Sequence, residues 1–275
     1  MSARTPSKAL VIARTDLRQL RQSRDFWLPL AIIAGLFFVV LPAILLVLIT
    51  HVSDVRLVKQ LSDLVGSLPK QLRTKVKGAS GPAQASYALA VYLFAPLAII
   101  VPLTVSSAVG ANTVIGERER GSGEFLAHSP ASERQIYLGK LIASLIPGYL
   151  AAAVGFGCYS LVVNLTVGPK VGGWFFPTRN WWILVVWVLP PFIALALAVI
   201  LAISAKVSSA AAAQQASALV TLPLILIAYA VASGTLFRAE VVAFAIGGLA
   251  WLGAFAALWR GSKAVQRERL LGMGG

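Results

Sequence analysis

The residue types best suited to chemistry are concentrated in one segment, residues 116–140, which reads GERERGSGEFLAHSPASERQIYLGK. It holds four of the ten acidic residues of the chain, and four basic residues accompany them. Mixed charges of this kind suit complementary contacts with another protein. Gly121 and Gly123 can turn the chain sharply, and Ser132 with Gln135 can form a capping box that opens a helix. The segment is therefore predicted to be a rigid, charged projection that docks on a partner.

A catalytic or metal site is not predicted. The chain has two histidines and one cysteine, and the long apolar stretches contain no acidic residue that could serve as a base or ligand. A phosphate loop needs G-x-x-x-x-G-K-[ST], but at Gly139-Lys140 the earlier glycine position is Arg134, and Leu141 follows the lysine. We therefore expect no catalytic residue, no metal and no cofactor bound by this chain.

Composition indicates a membrane protein of the all-α class. Hydrophobic residues make up 58% of the chain and charged residues only 12%, whereas soluble domains carry about 25% charged residues. A helix that crosses a bilayer needs about 20 apolar residues. Six such stretches are present, and we name them spans 1 to 6 in chain order: 27–50, 87–112, 141–166, 181–205, 215–236 and 240–259.

The distribution of Lys and Arg predicts the orientation of these spans. With six crossings, the side of the N-terminus carries 15 of these residues and the opposite side 9. Loops rich in Lys and Arg favour the cytoplasm. The loop 51–84 is an exception to this rule, because it holds six of the 9; without it the count is 15 against 3. Both ends are therefore predicted to be cytoplasmic, with the segment 116–140 and the tail 260–275 on the same side. The net charge of +14 is attributed to contact with anionic lipid headgroups rather than with nucleic acid.

Two segments outside the spans have helical periodicity. Residues 1–25 are predicted to form an amphipathic elbow helix at the membrane surface, with one apolar face and a basic stripe that reaches the lipid phosphates. The apolar face is Leu10, Ala13, Leu17 and Leu20, and the stripe is Arg14, Arg18 and Arg21. The outer loop 51–84 is predicted to be helical as well, because its leucines and valines from Leu57 to Leu68 recur at helical spacing.

Three tryptophans, Trp181, Trp182 and Trp187, stand near the start of span 4 and are predicted to form an interfacial belt. The few polar residues inside spans, Asn164 among them, are expected to form hydrogen bonds with neighbouring helices.

The charged segment resembles the signature loop of ABC-2 type transporter permeases. That loop has E-R/K-E-x-G-T-L, then L-x-x-x-P, then G-K before the third span. Here the corresponding residues are Glu117-Arg-Glu-Arg-Gly121, Glu124-Phe-Leu-Ala-His-Ser-Pro130 and Gly139-Lys140. Ser122-Gly123 stands where Thr-Leu is usual. The segment from Ile12 to Leu20 also resembles the entry helix of the family.

The resemblance implies a permease subunit of an ATP-driven exporter of a hydrophobic or amphipathic substrate, whether lipid, drug or peptide. The residues 116–140 would form the coupling loop, which contacts a cytoplasmic ATPase that binds ATP and Mg. A second permease subunit, identical or related, would complete the transporter in a bacterial or archaeal plasma membrane. The expected ATPase contacts are Glu117, Arg118, Glu119, Arg120, Gly121, Glu124, Phe125 and Pro130.

Two other classes of protein were considered. A membrane-embedded enzyme needs a nucleophile, a base or metal ligands at one depth, and the spans offer none. A gradient-driven carrier commonly places Asp, Glu or His within the membrane, and the spans contain none apart from Glu240 at the first position of span 6. Both alternatives are therefore less favoured than a transporter whose energy comes from a separate subunit.

Overall fold

The computed structural model describes residues 7–51, 55–68, 70–119, 128–204, 212, 215, 222, 225 and 240–261. These residues are helices and their connections, and no strand occurs among them. The helical segments before residue 120 are Lys8–Gln22, Arg24–Gly35, Leu36–Val40, Leu41–Thr50, Val55–Ser67, Lys70–Arg73, Gly81–Ala88, Leu89–Leu93 and Leu97–Glu119. Those after it are Glu133–Thr166, Gly168–Val171, Arg179–Trp182, Ile183–Val188, Leu189–Ser204 and Glu240–Gly261.

Within the described residues, five helices are long and apolar enough to cross a membrane. They correspond to spans 1, 2, 3, 4 and 6 of the sequence and are, in that order, Trp27–Thr50, Gly81–Gly110, Glu133–Thr166, Arg179–Leu201 and Ala243–Arg260. The predicted span 5, residues 215–236, lies outside the described residues apart from three isolated positions. The chain is therefore an all-helical integral membrane protein, as the composition indicated.

Span 2 begins earlier than its hydropathy suggested. Its first helix starts at Gly81, within the predicted outer loop 51–84 and six residues before the expected boundary. The Ser80 hydroxyl accepts a hydrogen bond from the Ala83 amide, and Pro82 stands in the first turn, where its missing N–H costs nothing. The small and polar residues here are buried in the protein rather than exposed to lipid, so hydropathy was a poor guide to this boundary.

Span 3 is one uninterrupted helix of 34 residues. At 1.5 Å per residue its length is about 51 Å, well beyond the hydrocarbon core of about 30 Å. Its first two turns, Glu133–Lys140, precede the apolar stretch that begins at Leu141. The helix therefore extends beyond the apolar stretch into the charged segment, and the helix that the Ser132–Gln135 capping box was predicted to open is continuous with span 3.

Among the spans that the structure describes, three contain a π-helical turn, and each of these turns ends two or three residues before a proline. Leu36–Val40 precedes Pro42, Leu89–Leu93 precedes Pro96, and Ile183–Val188 precedes Pro190. Proline cannot donate a backbone hydrogen bond and clashes with the preceding turn, so the helix widens or breaks there. The prolines thus make spans 1, 2 and 4 locally irregular, whereas span 3 continues regularly through Pro147.

Span 3 packs against the N-terminal helix and against spans 1, 2 and 4. It approaches span 2 closely at Gly148, where an added Cβ would overlap the Ser106 side chain and lie 2.9 Å from the Pro102 carbonyl oxygen. In the apolar 18-residue stretch of each helix, 67% of the residues are buried in span 2 and 72% in span 4, against 17% in span 1 and 22% in span 6. Spans 1 and 6 therefore form the periphery and expose large apolar side chains.

The helix Val55–Ser67 packs beside the start of span 2 with Val65 buried, and Leu72 of the short helix Lys70–Arg73 is buried as well. The Arg73 guanidinium donates hydrogen bonds to the carbonyls of Gly66 and Leu68. Carbonyls at a helix C-terminus lack intrahelical donors, so Arg73 stabilises the end of the longer helix.

Candidate functional site

Two helices frame the segment that the sequence predicts to dock on a partner. The helix Leu97–Glu119 carries Glu117, Arg118 and Glu119 at its C-terminal end. Pro130 is exposed and lies just before the second helix, which begins span 3. The other predicted contact residues, Arg120, Gly121, Glu124 and Phe125, lie outside the described residues. Contact with an ATPase stays a prediction for these four residues and equally for Glu117, Arg118, Glu119 and Pro130.

The second helix begins with the capping box that the sequence predicted. The Gln135 amide donates to the Ser132 hydroxyl over 3.3 Å, and the Ser132 amide donates to the Gln135 side-chain oxygen over 2.9 Å. Glu133 adds a negative charge in the first turn, which the helix dipole favours. The chain is thereby fixed to the end of a 34-residue helix, so a displacement of Ser132 would be carried along span 3.

The N-terminal helix packs against this same end of span 3. Gly139 allows the contact, because a Cβ there would lie 2.8 Å from the Ile12 Cβ and 2.9 Å from the Ala9 carbonyl oxygen. The Lys8 ammonium donates a 2.8 Å hydrogen bond to the Pro130 carbonyl. The N-terminal helix therefore supports both the first turns of span 3 and the residues that lead into them.

A buried ion pair joins the two helices. The Lys140 side chain is fully buried, and its ammonium lies 4.0 Å from the carboxylate of Asp16, which is 11% exposed. A charge removed from water is costly unless an opposite charge compensates it. Asp16 on the N-terminal helix and Lys140 on span 3 therefore favour this one register between the helices.

The packed face of the N-terminal helix differs from the predicted apolar face. Ala9 and Ala13 are buried in the packed face with Ile12 and Asp16, whereas Leu10 is 54% exposed. Small residues permit the close approach at Gly139, which the bulkier Leu10 would prevent. The basic stripe, Arg14, Arg18 and Arg21, is exposed on the other side of the helix. Its position at a membrane interface stays a prediction.

Span 2 is broken at Phe94–Pro96, and side chains from spans 3 and 4 hold the break. In a regular helix the amides of Phe94 and Ala95 would donate to Ala90 and Val91, but here they donate to Leu89 and Tyr92. The Ala90 carbonyl accepts instead from the Tyr159 hydroxyl over 2.6 Å, and the Val91 carbonyl from the Trp181 indole over 2.8 Å. Backbone groups released inside a membrane need such partners.

Trp181 is therefore not part of an interfacial belt, and that prediction is wrong for this residue. It is 3% exposed and stacks on Tyr159 and Phe156. Its neighbour Trp182 is 52% exposed, and its place in an interfacial belt stays a prediction. Trp181 lies inside because its indole supplies the donor that the broken helix lacks.

Asn164 serves a loop rather than a neighbouring helix. Its side-chain oxygen accepts from the amides of Phe175 and Phe176 at 3.0 Å each, and its nitrogen donates to the Phe176 carbonyl over 2.6 Å. These three bonds fix the connection between spans 3 and 4 to the end of span 3 and bury Phe176 among the aromatic rings. The end of span 3 opposite Lys140 is thus also rigidly held.

Sequence reasoning missed the pairing of Asp16 with Lys140. A signal was present, because Asp16 is the one carboxylate between Lys8 and Arg24, in a segment with arginines on its other face. The sequence analysis used Lys140 for the end of the charged segment and for the Gly139-Lys140 motif, and it predicted no partner for this side chain. A lone acid in a basic helix, matched with a lone cation at the start of a span, is the pattern that could have indicated a buried pair.

Among the described residues, no group of three or more His, Cys, Asp or Glu side chains could hold a metal ion. In the described part of the site, two packed helices, an ion pair and hydrogen bonds position the charged connection between spans 2 and 3. Such an arrangement suits the transmission of movement.

The fold and this site define a polytopic membrane protein whose charged connection between spans 2 and 3 is fixed to the N-terminal helix. The model of the ABC-2 family transporter protein matches residues 10–247. The chain therefore belongs to the ABC-2 family and is a membrane component of ABC transport. No curated protein matches its sequence.

Proposed function

We propose that this chain is the permease subunit of an ATP-driven exporter and that residues 116–140 form its coupling loop. The observation that carries the proposal is the support of this loop by the N-terminal helix, through Lys8 with Pro130 and through Asp16 with Lys140. A loop that receives force from a soluble motor needs a rigid base. The family match, which implies association with an ABC ATPase in general, adds independent support.

In this proposal a cytoplasmic ATPase binds ATP and Mg and moves against Glu117–Glu119 and Pro130. The movement is transmitted through the continuous helix of span 3. A second permease subunit, identical or related, pairs with this chain, and movement of the two against each other alternates access to the cargo. The cargo is a lipid, drug or peptide of hydrophobic or amphipathic character, because the spans are apolar and carry few polar residues.

The proposed topology has six spans with both ends in the cytoplasm of a bacterial or archaeal cell. The contact between Lys8 and Pro130 supports one part of it, because these residues precede span 1 and follow span 2. They share a side of the membrane only if an even number of crossings separates them, as spans 1 and 2 provide.

The test is capture of the motor. The tagged chain, extracted in mild detergent after cross-linking, is expected to bring a soluble protein with a phosphate loop in stoichiometric amount. The double charge reversal Glu117→Lys and Glu119→Lys is expected to abolish this capture and to leave the gel-filtration profile unchanged. Asp63→Lys, at an exposed position in the loop 51–84, is the matched control and should retain the ATPase.

If the wild-type chain brings no ATPase, the proposal loses its source of energy, and a gradient-driven carrier becomes the better description. If the ATPase is captured but the charge-reversed variant binds it and stimulates ATP hydrolysis like wild type, residues 117 and 119 are not the contact.

A further inference from the structure

A groove between spans 1 and 3 has no role in the proposed coupling. It has a volume of about 420 Å³ and is lined by the first half of span 1, from Trp27 to Val39, and by span 3 from Pro147 to Cys158. Its lining carries no charged side chain. Ala31, Ala34 and Gly35 leave the concavity on span 1, because none of them projects a long side chain.

The end of the groove is built by one close contact. Phe38 is 2% exposed and lies against Gly155, where an added Cβ would overlap its ring. Phe38 also belongs to the π-helical turn Leu36–Val40, where the helix widens before Pro42. Phe38 and Val39 therefore mark the deep end of the groove, and Trp27 marks the end nearest the N-terminal helix.

The length of the groove matches one leaflet. The rise from Trp27 to Val39 is about 18 Å at 1.5 Å per residue, and half of a hydrocarbon core is about 15 Å. A partner helix that crossed the membrane would need a continuous face along all of span 1. A groove of leaflet depth suits a single hydrocarbon chain that enters from the nearer surface.

Charge at the open end favours an anionic headgroup. Arg24 lies one helical turn before Trp27, and Arg21 lies in the last turn of the N-terminal helix; both side chains are exposed. From Lys8 to Phe26 the chain carries five basic residues and two carboxylates, Asp16 and Asp25. Asp16 is paired with Lys140, so the surface around Arg21 and Arg24 keeps a net positive charge. Arginine binds phosphate oxygens well, and juxtamembrane cations attract anionic lipids.

From this combination we infer that the groove binds one acyl chain of an anionic phospholipid from the leaflet beside the N-terminal helix, with its headgroup at Arg21 and Arg24. An apolar cavity of this size does not hold water, so a hydrocarbon chain is the occupant that a bilayer supplies. The site is independent of the proposed transport cycle, because it requires only that span 1 lies in a membrane.

The test uses photo-crosslinking in phosphatidylcholine vesicles that contain the full chain and a trace of phosphatidylglycerol with a photoreactive acyl chain. After irradiation and digestion, label is expected on the peptides that contain residues 27–39 and 147–158. Ala34→Phe fills the groove and should reduce this label at least several-fold. Ile32→Phe is the matched control, because Ile32 is 61% exposed on the same helix, and it should leave the label unchanged.

The headgroup is tested with a phosphatidylcholine probe of the same acyl chain, which is expected to label the groove several-fold less. Arg21→Gln with Arg24→Gln changes only exposed side chains, so it keeps the proposal testable if Ala34→Phe does not fold. This variant should remove the preference for phosphatidylglycerol. Equal labelling by the two probes in wild type, or label no greater in the groove than on the exposed face of span 6, would overturn the inference.

Discussion

At the scale of single residues, the pair Asp16 and Lys140 is the feature with the largest expected energetic effect. The Lys140 ammonium is fully buried, so Asp16→Ala leaves it without this compensating charge. Removal of one partner of a buried pair costs roughly 3–5 kcal/mol. We expect Asp16→Ala to lower the unfolding temperature of the detergent-solubilised chain strongly, whereas Arg14→Ala, at an exposed position of the same helix, should change it little.

The double variant Asp16→Leu with Lys140→Met separates charge compensation from general packing. Replacement of a buried ion pair by apolar residues of similar volume is often neutral or stabilising. The double variant should therefore recover most of the stability lost by Asp16→Ala, as measured by fluorescence-detected gel filtration after heating. A double variant no more stable than the worse single variant would show that the pair is not the reason for the loss.

The sequence predicted hydrogen bonds between residues close together in the chain, but not contacts between residues far apart in it. The Ser132–Gln135 capping box follows from residue types three positions apart, so it was visible and is confirmed. Trp181 was predicted to be interfacial because it lies near the start of an apolar stretch. Nothing in the neighbouring sequence indicates that its indole donates to the Val91 carbonyl. Its true partner is 90 residues away.

At the scale of elements, the break in span 2 divides that span into a first helical part, residues 81–93, and a second helix, Leu97–Glu119, that leads to the charged segment. Hydropathy predicted the span, because it measures only apolar content. It gave neither the start at Gly81 nor the break. The start depends on burial against the protein, and the break depends on Pro96 and on donors from spans 3 and 4.

Tyr159→Phe tests whether the break depends on its side-chain donors. This change keeps the ring and removes the hydroxyl that donates to the Ala90 carbonyl. A buried acceptor left without a donor costs about 1–3 kcal/mol, so the unfolding temperature should fall. Tyr149→Phe, in the same helix at a half-buried position, is the control and should have a smaller effect.

Pro96→Ala sharpens that test, because it restores the missing amide. A continuous helix would direct the amides of Phe94 and Ala95 back to Ala90 and Val91, so the Tyr159 hydroxyl would no longer be required. Tyr159→Phe should then cost less in the Pro96→Ala background than in wild type. Equal costs in the two backgrounds would mean that the hydroxyl does not act through the break.

At the scale of the whole molecule, the open question is how many times the chain crosses the membrane. The five helices of the described residues include spans 1 to 4 and span 6. Whether residues 205–239 add one crossing decides on which side the C-terminal tail lies. The contact between Lys8 and Pro130 already requires the N-terminus and the segment 116–140 to share a side.

Cysteine labelling in intact cells measures this directly, because Cys158 is the single native cysteine and Cys158→Ser provides a background without thiols. With a membrane-impermeant maleimide, Asp63→Cys and Lys170→Cys, both at exposed positions, should be labelled. Ser7→Cys and His128→Cys, also exposed, should react only after the membrane is opened.

Ser262→Cys then decides the number of crossings. With six spans it should behave like Ser7→Cys, because an even number of crossings returns the chain to its first side. Labelling of Ser262→Cys in intact cells, with Ser7→Cys still protected, would mean an odd number of crossings. The tail would then lie opposite the charged segment, and the prediction of two cytoplasmic ends would be wrong even though the ABC-2 family assignment stands.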